Sequence, residues 1–280
     1  MKQLNINKIV VFLIAVLTSC CSVNLERAKD IAVIKLAEST SNITTLNFIG
    51  FKNDIPVYLK FNDNILYLIE QHQSRLFKEL SNDCMIFFIN DNGMILQNKL
   101  TNEIIIDFNG NQVKIPSPTF MNSLSATSNL DTIYFFDDYK VNDIKILLTN
   151  EKKIISLPIK GNDPRIGGGY LYFSQYSDPA SSEPFADLFR TKLNDLNNVD
   201  TVLYDILERW EMSDDGRYIA CMQSKDSDWI NCIYDVKNNR FKYFDIPESY
   251  QFSYFDKKKK GFVFYNQNDI QEDTLVLVEN

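Results

Sequence analysis

The stretch Trp210–Phe244, WEMSDDGRYIACMQSKDSDWINCIYDVKNNRFKYF, reads as a complete small β-unit. It opens on Ser213-Asp214-Asp215-Gly216, where short polar side chains and a glycine tolerate positive φ in a tight turn. Arg217 to Gln223 is rich in Tyr, Ile, Cys and Met. A polar break from Ser224 to Asp228 separates it from a second β-prone run, Trp229 to Val236. Lys237-Asn238-Asn239 makes the next turn, and Arg240 to Asp245 supplies a third strand with aromatic residues at Phe241, Tyr243 and Phe244.

The plan recurs along the chain. In Gly167–Leu193, Tyr170 matches Tyr218 at an offset of 48 and Leu193 matches Val236 at an offset of 43, so the earlier hairpin has a loop five residues longer. Loops absorb such differences at little cost. Leu130–Leu148 and Lys257–Glu279 repeat the pattern of two β-prone runs about a polar loop. With Thr132, Tyr170, Tyr218 and Phe262 as equivalent points, the spacings are 38, 48 and 44 residues. Several strands per repeat of that length imply an all-β chain of propeller blades. Strands counted at four per blade give six blades, with five as the alternative.

The segment SDDGRYIACMQ…IYDV resembles the TolB-type β-propeller repeat, whose usual form is a Ser-Pro-Asp-Gly turn, a buried strand and a second strand ending in Asp. Asp214 stands where that form has Pro, and the other units keep only the Gly or only the strand pair. The resemblance covers residues 165–245 best. It implies a WD40-like propeller fold, found both in binding proteins and as the propeller parts of peptidases, and it implies no particular ligand.

At the N-terminus, Lys2 and Lys8 precede an apolar run from Ile9 to Leu17, too short to span a bilayer and flanked as a secretory signal is. Leu17-Thr18-Ser19-Cys20 resembles a bacterial lipobox, which implies cleavage before Cys20 and acylation of its thiol. Two or three acyl chains, at about 0.8 kcal/mol per buried CH₂, anchor a protein stably. Position 21 is Cys and not Asp, so the resemblance favours the outer membrane over the inner. The expected division is a signal peptide over 1–19, an anchor segment with a blade-closing strand over 20–45, and one propeller domain over 46–280. Within 20–45, Leu25 to Glu38 fits a short helix, but Ile31 to Leu36 reads better as a strand that pairs with Thr274 to Val278.

Removing Lys2 and Lys8 leaves 27 basic against 37 acidic residues, a formal charge of −10 on the 261-residue mature chain. That charge argues against a nucleic-acid partner. The 20 Phe and 14 Tyr suit packed sheets.

Chemistry-bearing patterns are sparse. His72 is the only histidine, in a polar loop, so a zinc site of clustered histidines is excluded and a Ser-His-Asp triad would rest on it alone. Asp214-Asp215-Gly216, Asp226-x-Asp228 and Asn90-Asp91-Asn92-Gly93 offer oxygens, but none has the EF-hand spacing, and each reads as turn chemistry. No metal and no cofactor is expected. Gly161-Asn162-Asp163-Pro164-Arg165-Ile166-Gly167-Gly168-Gly169 holds four of the nine glycines. It has two readings. Asp163, Arg165, Gly167, Gly168 and Gly169 form a candidate binding loop, with Arg165 offering a forked cation and the glycines admitting a ligand to the backbone. Alternatively, the segment is the crowded approach to an innermost strand. The long Ser177 to Asp187 connection is a further candidate loop. Trp210 and Trp229 are expected to pack between blades. Cys221 and Cys232 face each other across one hairpin and are expected as free buried thiols, although an oxidising envelope permits a bridge.

The function expected from these features is a non-enzymatic, lipid-anchored module of the cell envelope that binds or scaffolds a protein or glycan partner. The alternative is a glycan-active hydrolase or lyase with axial carboxylates gathered from several blades.

Overall fold

The computed structural model describes residues 25–26, 31–35, 46–60, 64–70, 73–137, 142–176, 185–225, 228–244, 246, 250–266 and 272–277. The signal segment, Cys20, His72, Asp226 and residues 177–184 lie outside the described residues. All regular structure described is strand. The short β1 (Leu25–Glu26) and β2 (Ile31–Lys35) come first. The chain then runs through β3 (Leu46–Lys52), β4 (Ile55–Lys60), β5 (Ile65–Glu70) and β6 (Gln73–Glu79), an antiparallel meander. A second meander is β7 (Cys84–Asn90), β8 (Gly93–Asn98), β9 (Ile104–Phe108) and β10 (Asn111–Ile115). The third is β11 (Ser123–Ala126), β12 (Thr132–Phe136), β13 (Asp143–Leu148) and β14 (Lys153–Lys160).

The fourth meander is β15 (Asn162–Gly167), β16 (Tyr170–Tyr176), β17 (Phe185–Lys192) and the first part of the 18-residue β18 (Asp195–Met212). A register shift between Ile206 and Trp210 turns the end of β18 into the first strand of the fifth meander, followed by β19 (Tyr218–Lys225), β20 (Asp228–Asp235) and β21 (Arg240–Phe244). Last come β22 (Tyr250–Asp256), β23 (Gly261–Asn266) and β24 (Glu272–Leu277). Antiparallel β2 is their fourth strand, with Ile31 opposite Val276, while β1 adds in parallel to the outer edge of β21.

The four residues that mark the sequence repeat, Thr132, Tyr170, Tyr218 and Phe262, all lie in second strands: β12, β16, β19 and β23. Burial explains why the repeat is legible there. A second strand is covered on both faces by neighbouring meanders, so it reads as a near-continuous apolar run, as in the fully buried Gly93–Gln97 of β8 and Leu171–Ser174 of β16. Outer strands such as β10 and β14 alternate in exposure and carry Lys, Gln and Asn.

Successive side chains of a strand point to opposite faces, so each second strand feeds two cores. Ile219 and Cys221 pack towards the fourth meander with Tyr172 and Leu188, whereas Tyr218 and Ala220 pack towards the sixth with Phe262 and Phe264. Similar clusters occupy every junction between consecutive meanders among the described residues, including the one between the last and the first, where Tyr254 and Val263 meet Tyr58. The first strands therefore stand in a closed ring, the arrangement of a propeller.

First strands touch at the level of the backbone. Gly50 of β3 is bridged to Ile89 of β7, and a Cβ at Gly50 would run into the Ile89 carbonyl. The amide of Ile166 in β15 donates to Ser125 Oγ of β11 at 3.1 Å. Turns that follow first strands are cross-linked too. Asn90 and Asn92 both donate to Ser128 O at 2.8 Å, and Lys257 pairs with Asp214.

At the closing junction, Phe48 stacks on Tyr254 with centroids 4.4 Å apart, and Phe51 and Tyr58 meet the same ring edge-on. Lys258 and Asp54 bridge the same junction, but both side chains are 65% exposed. An exposed ion pair contributes roughly 0–1 kcal/mol, whereas a buried aromatic contributes about 2–3, so aromatic packing closes the ring. Tyr254→Ala is expected to lower the free energy of unfolding in urea by about 3 kcal/mol, while Lys258→Ala changes it by less than about 0.5. Equal effects of the two substitutions would show that the junction is not closed by the aromatic group.

Candidate functional site

Asn162–Gly167 is strand β15, where the sequence reading expected a loop. Only Gly168 and Gly169 lie in the turn, at φ 56 and 82, and Gly168 stands so close to the Asp215 carbonyl that any side chain would collide with it. Gly167 is likewise packed against Met212 and Gly216. Gly167 and Gly168 thus admit the neighbouring turn to the backbone at the junction between the fourth and fifth meanders, while a Cβ at Gly169 would meet nothing.

Asp163 and Arg165 are placed differently. Arg165 lies mid-strand on β15, and its guanidinium carbon is 5.8 Å from the ring centre of Trp210 on the end of β18. Its Nε lies 4.0 Å from Oε1 of Glu211, the next residue of β18. Both side chains are about a quarter accessible, at 26% and 23%. Among the described residues, the hydrogen bond of the Arg165 fork is Nη1 to Pro164 O at 3.3 Å, so most of its five donors stay open. Trp210 is 3% exposed, and its indole N–H is buried without an acceptor.

Asp163 is half-buried and takes a left-handed backbone at φ 48, a conformation that Asp tolerates better than most residues. Beside it, Asn162 is 2% exposed, and neither polar atom of its amide has a partner. Asn142, whose carbonyl accepts from Gly161 N at 2.6 Å, also buries an unpaired Oδ1. Each such buried, unpaired group costs roughly 1–3 kcal/mol. Their concentration at the start of β15 marks this part of the ring as polar and unsaturated.

The electrostatics centre on Glu211. Burial between the two first strands pushes its carboxyl above the usual range, and the negative charge of Asp163 adds to the rise. The Arg165 cation and the Met212 N–H, which donates to Oε1 at 3.0 Å, oppose it. Chemically, the group is a cation on an aromatic face beside a carboxyl whose pKa is raised, with the charge of Asp163 acting on that carboxyl.

Sequence reasoning found Asp163 and Arg165 but not Glu211. Its one signal was position: it immediately precedes the Met212 and Ser213 that lead into the Ser-Asp-Asp-Gly turn, where a first strand must end. The other candidates have structural roles. In the turn, Ser213 Oγ donates to Asp215 Oδ1 at 2.6 Å, which also accepts from Arg217 N at 3.0 Å. Asn90 Oδ1 accepts from Asn92 N and Gly93 N. Among the described residues no group of three His, Cys, Asp or Glu side chains could hold a metal ion. Trp229 packs at 5.2 Å on Phe185.

A carboxyl whose folded-state pKa is raised binds its proton more tightly when folded than when unfolded. Its contribution to stability is present at low pH and is lost as pH rises through the raised value. Glu211→Gln removes that loss. The variant should therefore melt higher than wild type at neutral pH, and the difference should shrink on acidification towards the ordinary glutamate range. Thermal melts across that window check this, and parallel curves for the two proteins would contradict it.

No family model matches the chain, and no curated protein matches it. Among solved structures it is similar to the Cps50 (Swd1) β-propeller domain of Myceliophteria thermophila, with a TM-score of 0.54 and 9% identity over 84% of each chain. It is also similar to TolB from Acinetobacter baumannii, with a TM-score of 0.52 and 13% identity over 89% of this chain and 64% of that one. Virginiamycin B lyase from Staphylococcus aureus gives a TM-score of 0.51 and 13% identity, covering 89% of this chain and 99% of that one. Similarity at such low identity carries the fold alone, and with the ring of meanders it establishes that the chain is a β-propeller.

Proposed function

We propose that the protein is a six-bladed, lipid-anchored propeller of the cell envelope that binds a protein or glycan partner at the mouth formed by Asp163, Arg165, Trp210 and Glu211. The observation that carries this reading is the Arg165 fork, held over a buried indole with most of its donors open. A guanidinium on an aromatic platform, half desolvated, is the kind of anchor that dominates recognition surfaces. The buried, unpaired amide of Asn162 beside it keeps this part of the ring polar.

Immobilised wild type and Arg165→Ala, challenged with envelope extract, are expected to differ by roughly tenfold or more in capture of a partner, with melting temperatures nearly equal. Equal capture by the two would remove Arg165 from recognition.

A second reading is a glycan-active hydrolase or lyase. It is favoured by a second carboxylate, Asp163, whose charge acts on Glu211, and by the raised pKa of Glu211, which suits a general acid. Turnover of a glycan by the purified protein, abolished in Glu211→Gln, would establish this reading over the binding one.

The anchor rests on the order of charge, apolar run, small residues and Cys20 in the sequence. Cys20→Ala is expected to leave the precursor unprocessed, or to release the protein as a soluble form. Fractionation and gel mobility identical to wild type would rule the anchor out.

A further inference from the structure

Cys221 and Cys232 face each other in β19 and β20, and both are fully buried as free thiols with their sulfurs 3.5 Å apart. Facing residues of antiparallel strands have Cα atoms about 4.5 or 5.5 Å apart, within the roughly 4.4–6.8 Å that a disulfide spans. The row across the fifth meander continues on both sides: Trp210 of β18 is opposite Cys221, and Tyr243 of β21 is opposite Cys232. All four side chains belong to, or pack against, one core cluster.

We propose that Cys221 and Cys232 are a redox-imprinted pair, joined into a disulfide only while the chain folds in the presence of a small-molecule disulfide, and that the bond is read out at Trp210. Access is the reason for the timing. The folded hairpin leaves neither sulfur exposed, and β18 and β21 close the row on either side, so an oxidant reaches the thiols only before β19 and β20 are covered. The hydrogen bond shared with Cys221, and burial after it, also hold the Cys232 thiol well above its ordinary pKa, which keeps the thiolate, the attacking species, scarce once folding is complete.

The exchange balances with oxidised glutathione. One cysteine thiolate attacks the oxidant and expels a glutathione thiolate, leaving a mixed disulfide. The second cysteine thiolate then attacks the protein sulfur of that bond and expels the other glutathione. The two cysteines are oxidised, the oxidant is reduced to two thiols, and the two cysteine protons pass to them.

Drawing the sulfurs together tightens β19 on β20 directly beneath the indole opposite Cys221. A disulfide next to an indole also quenches its emission.

The test uses the full chain carrying Trp229→Phe, which leaves Trp210 as the one tryptophan. Reduced native protein incubated with oxidised glutathione should keep Cys221 and Cys232 free in non-reducing peptide maps, with unchanged fluorescence. The same protein denatured and refolded with oxidised glutathione should give a linked Cys221–Cys232 peptide, two hydrogens lighter, and a loss of Trp210 emission that Cys232→Ser abolishes. If refolding yields no soluble protein, cell-free synthesis with and without the oxidant supplies the same comparison. Bridging of the native protein as fast as an exposed thiol reacts would overturn the timing. Two separate glutathione adducts, or free thiols after oxidative folding, would overturn the pair, and a linked peptide with unchanged emission would overturn the readout.

Discussion

Every second strand is buried on both faces, and its odd and even side chains belong to different cores. Much of the structure depends on that division. In β19 it sends Ile219 and Cys221 one way and Tyr218 and Ala220 the other, so one strand welds two junctions. A meander taken alone would expose both faces of its best apolar strand. It gains its burial only from neighbours, and the last meander finds its neighbour in the first, through Tyr254 and Tyr58. Closure of the ring is thus a demand of the burial pattern, met by aromatic packing.

The same crowding shapes the candidate site. First strands approach so closely at Gly50, and the turns after them at Gly168, that backbone meets backbone, and side chains there have few directions open to them. Arg165 and Glu211 stand on neighbouring first strands, and the junction that packs them also strips water from the carboxylate and lifts its pKa. A polar group placed in this position is costly. The clustering of Asp163, Arg165, Glu211 and the unpaired Asn162 amide is a place in the described ring where the sequence sets charge against packing.

What the sequence revealed follows the same physics. Strands β4, β8, β12, β16, β19 and β23 announce themselves as apolar runs because both faces are covered, and the turns between them carry Asn, Asp and Gly for their positive φ. β15 was illegible as a strand. Asn162-Asp163-Pro164-Arg165 has neither alternation nor β-branched residues, and tertiary contacts with β11, β16 and β18 override that local preference. The first part of β18 was equally hidden, since an outer strand such as Asp195–Asp205 is largely solvated and mostly polar. Within the site, Arg165 was found for its chemistry in a glycine-rich stretch. Glu211 was missed because its partner lies 46 positions earlier in the chain, a distance across which no linear pattern runs.

The strand that ends the fourth meander also begins the fifth, and β3 is bridged to β7, so two pairs of meanders are each fused into one eight-stranded sheet. Among the described residues, the remaining junctions are held by side chains and turns. Mechanically the described ring is then a set of blocks of unequal size, two of eight strands and two of four. Breathing of the ring would concentrate at the side-chain-only junctions, while Arg165 and Glu211, mounted within a single fused block, would ride together through such motion with their spacing preserved.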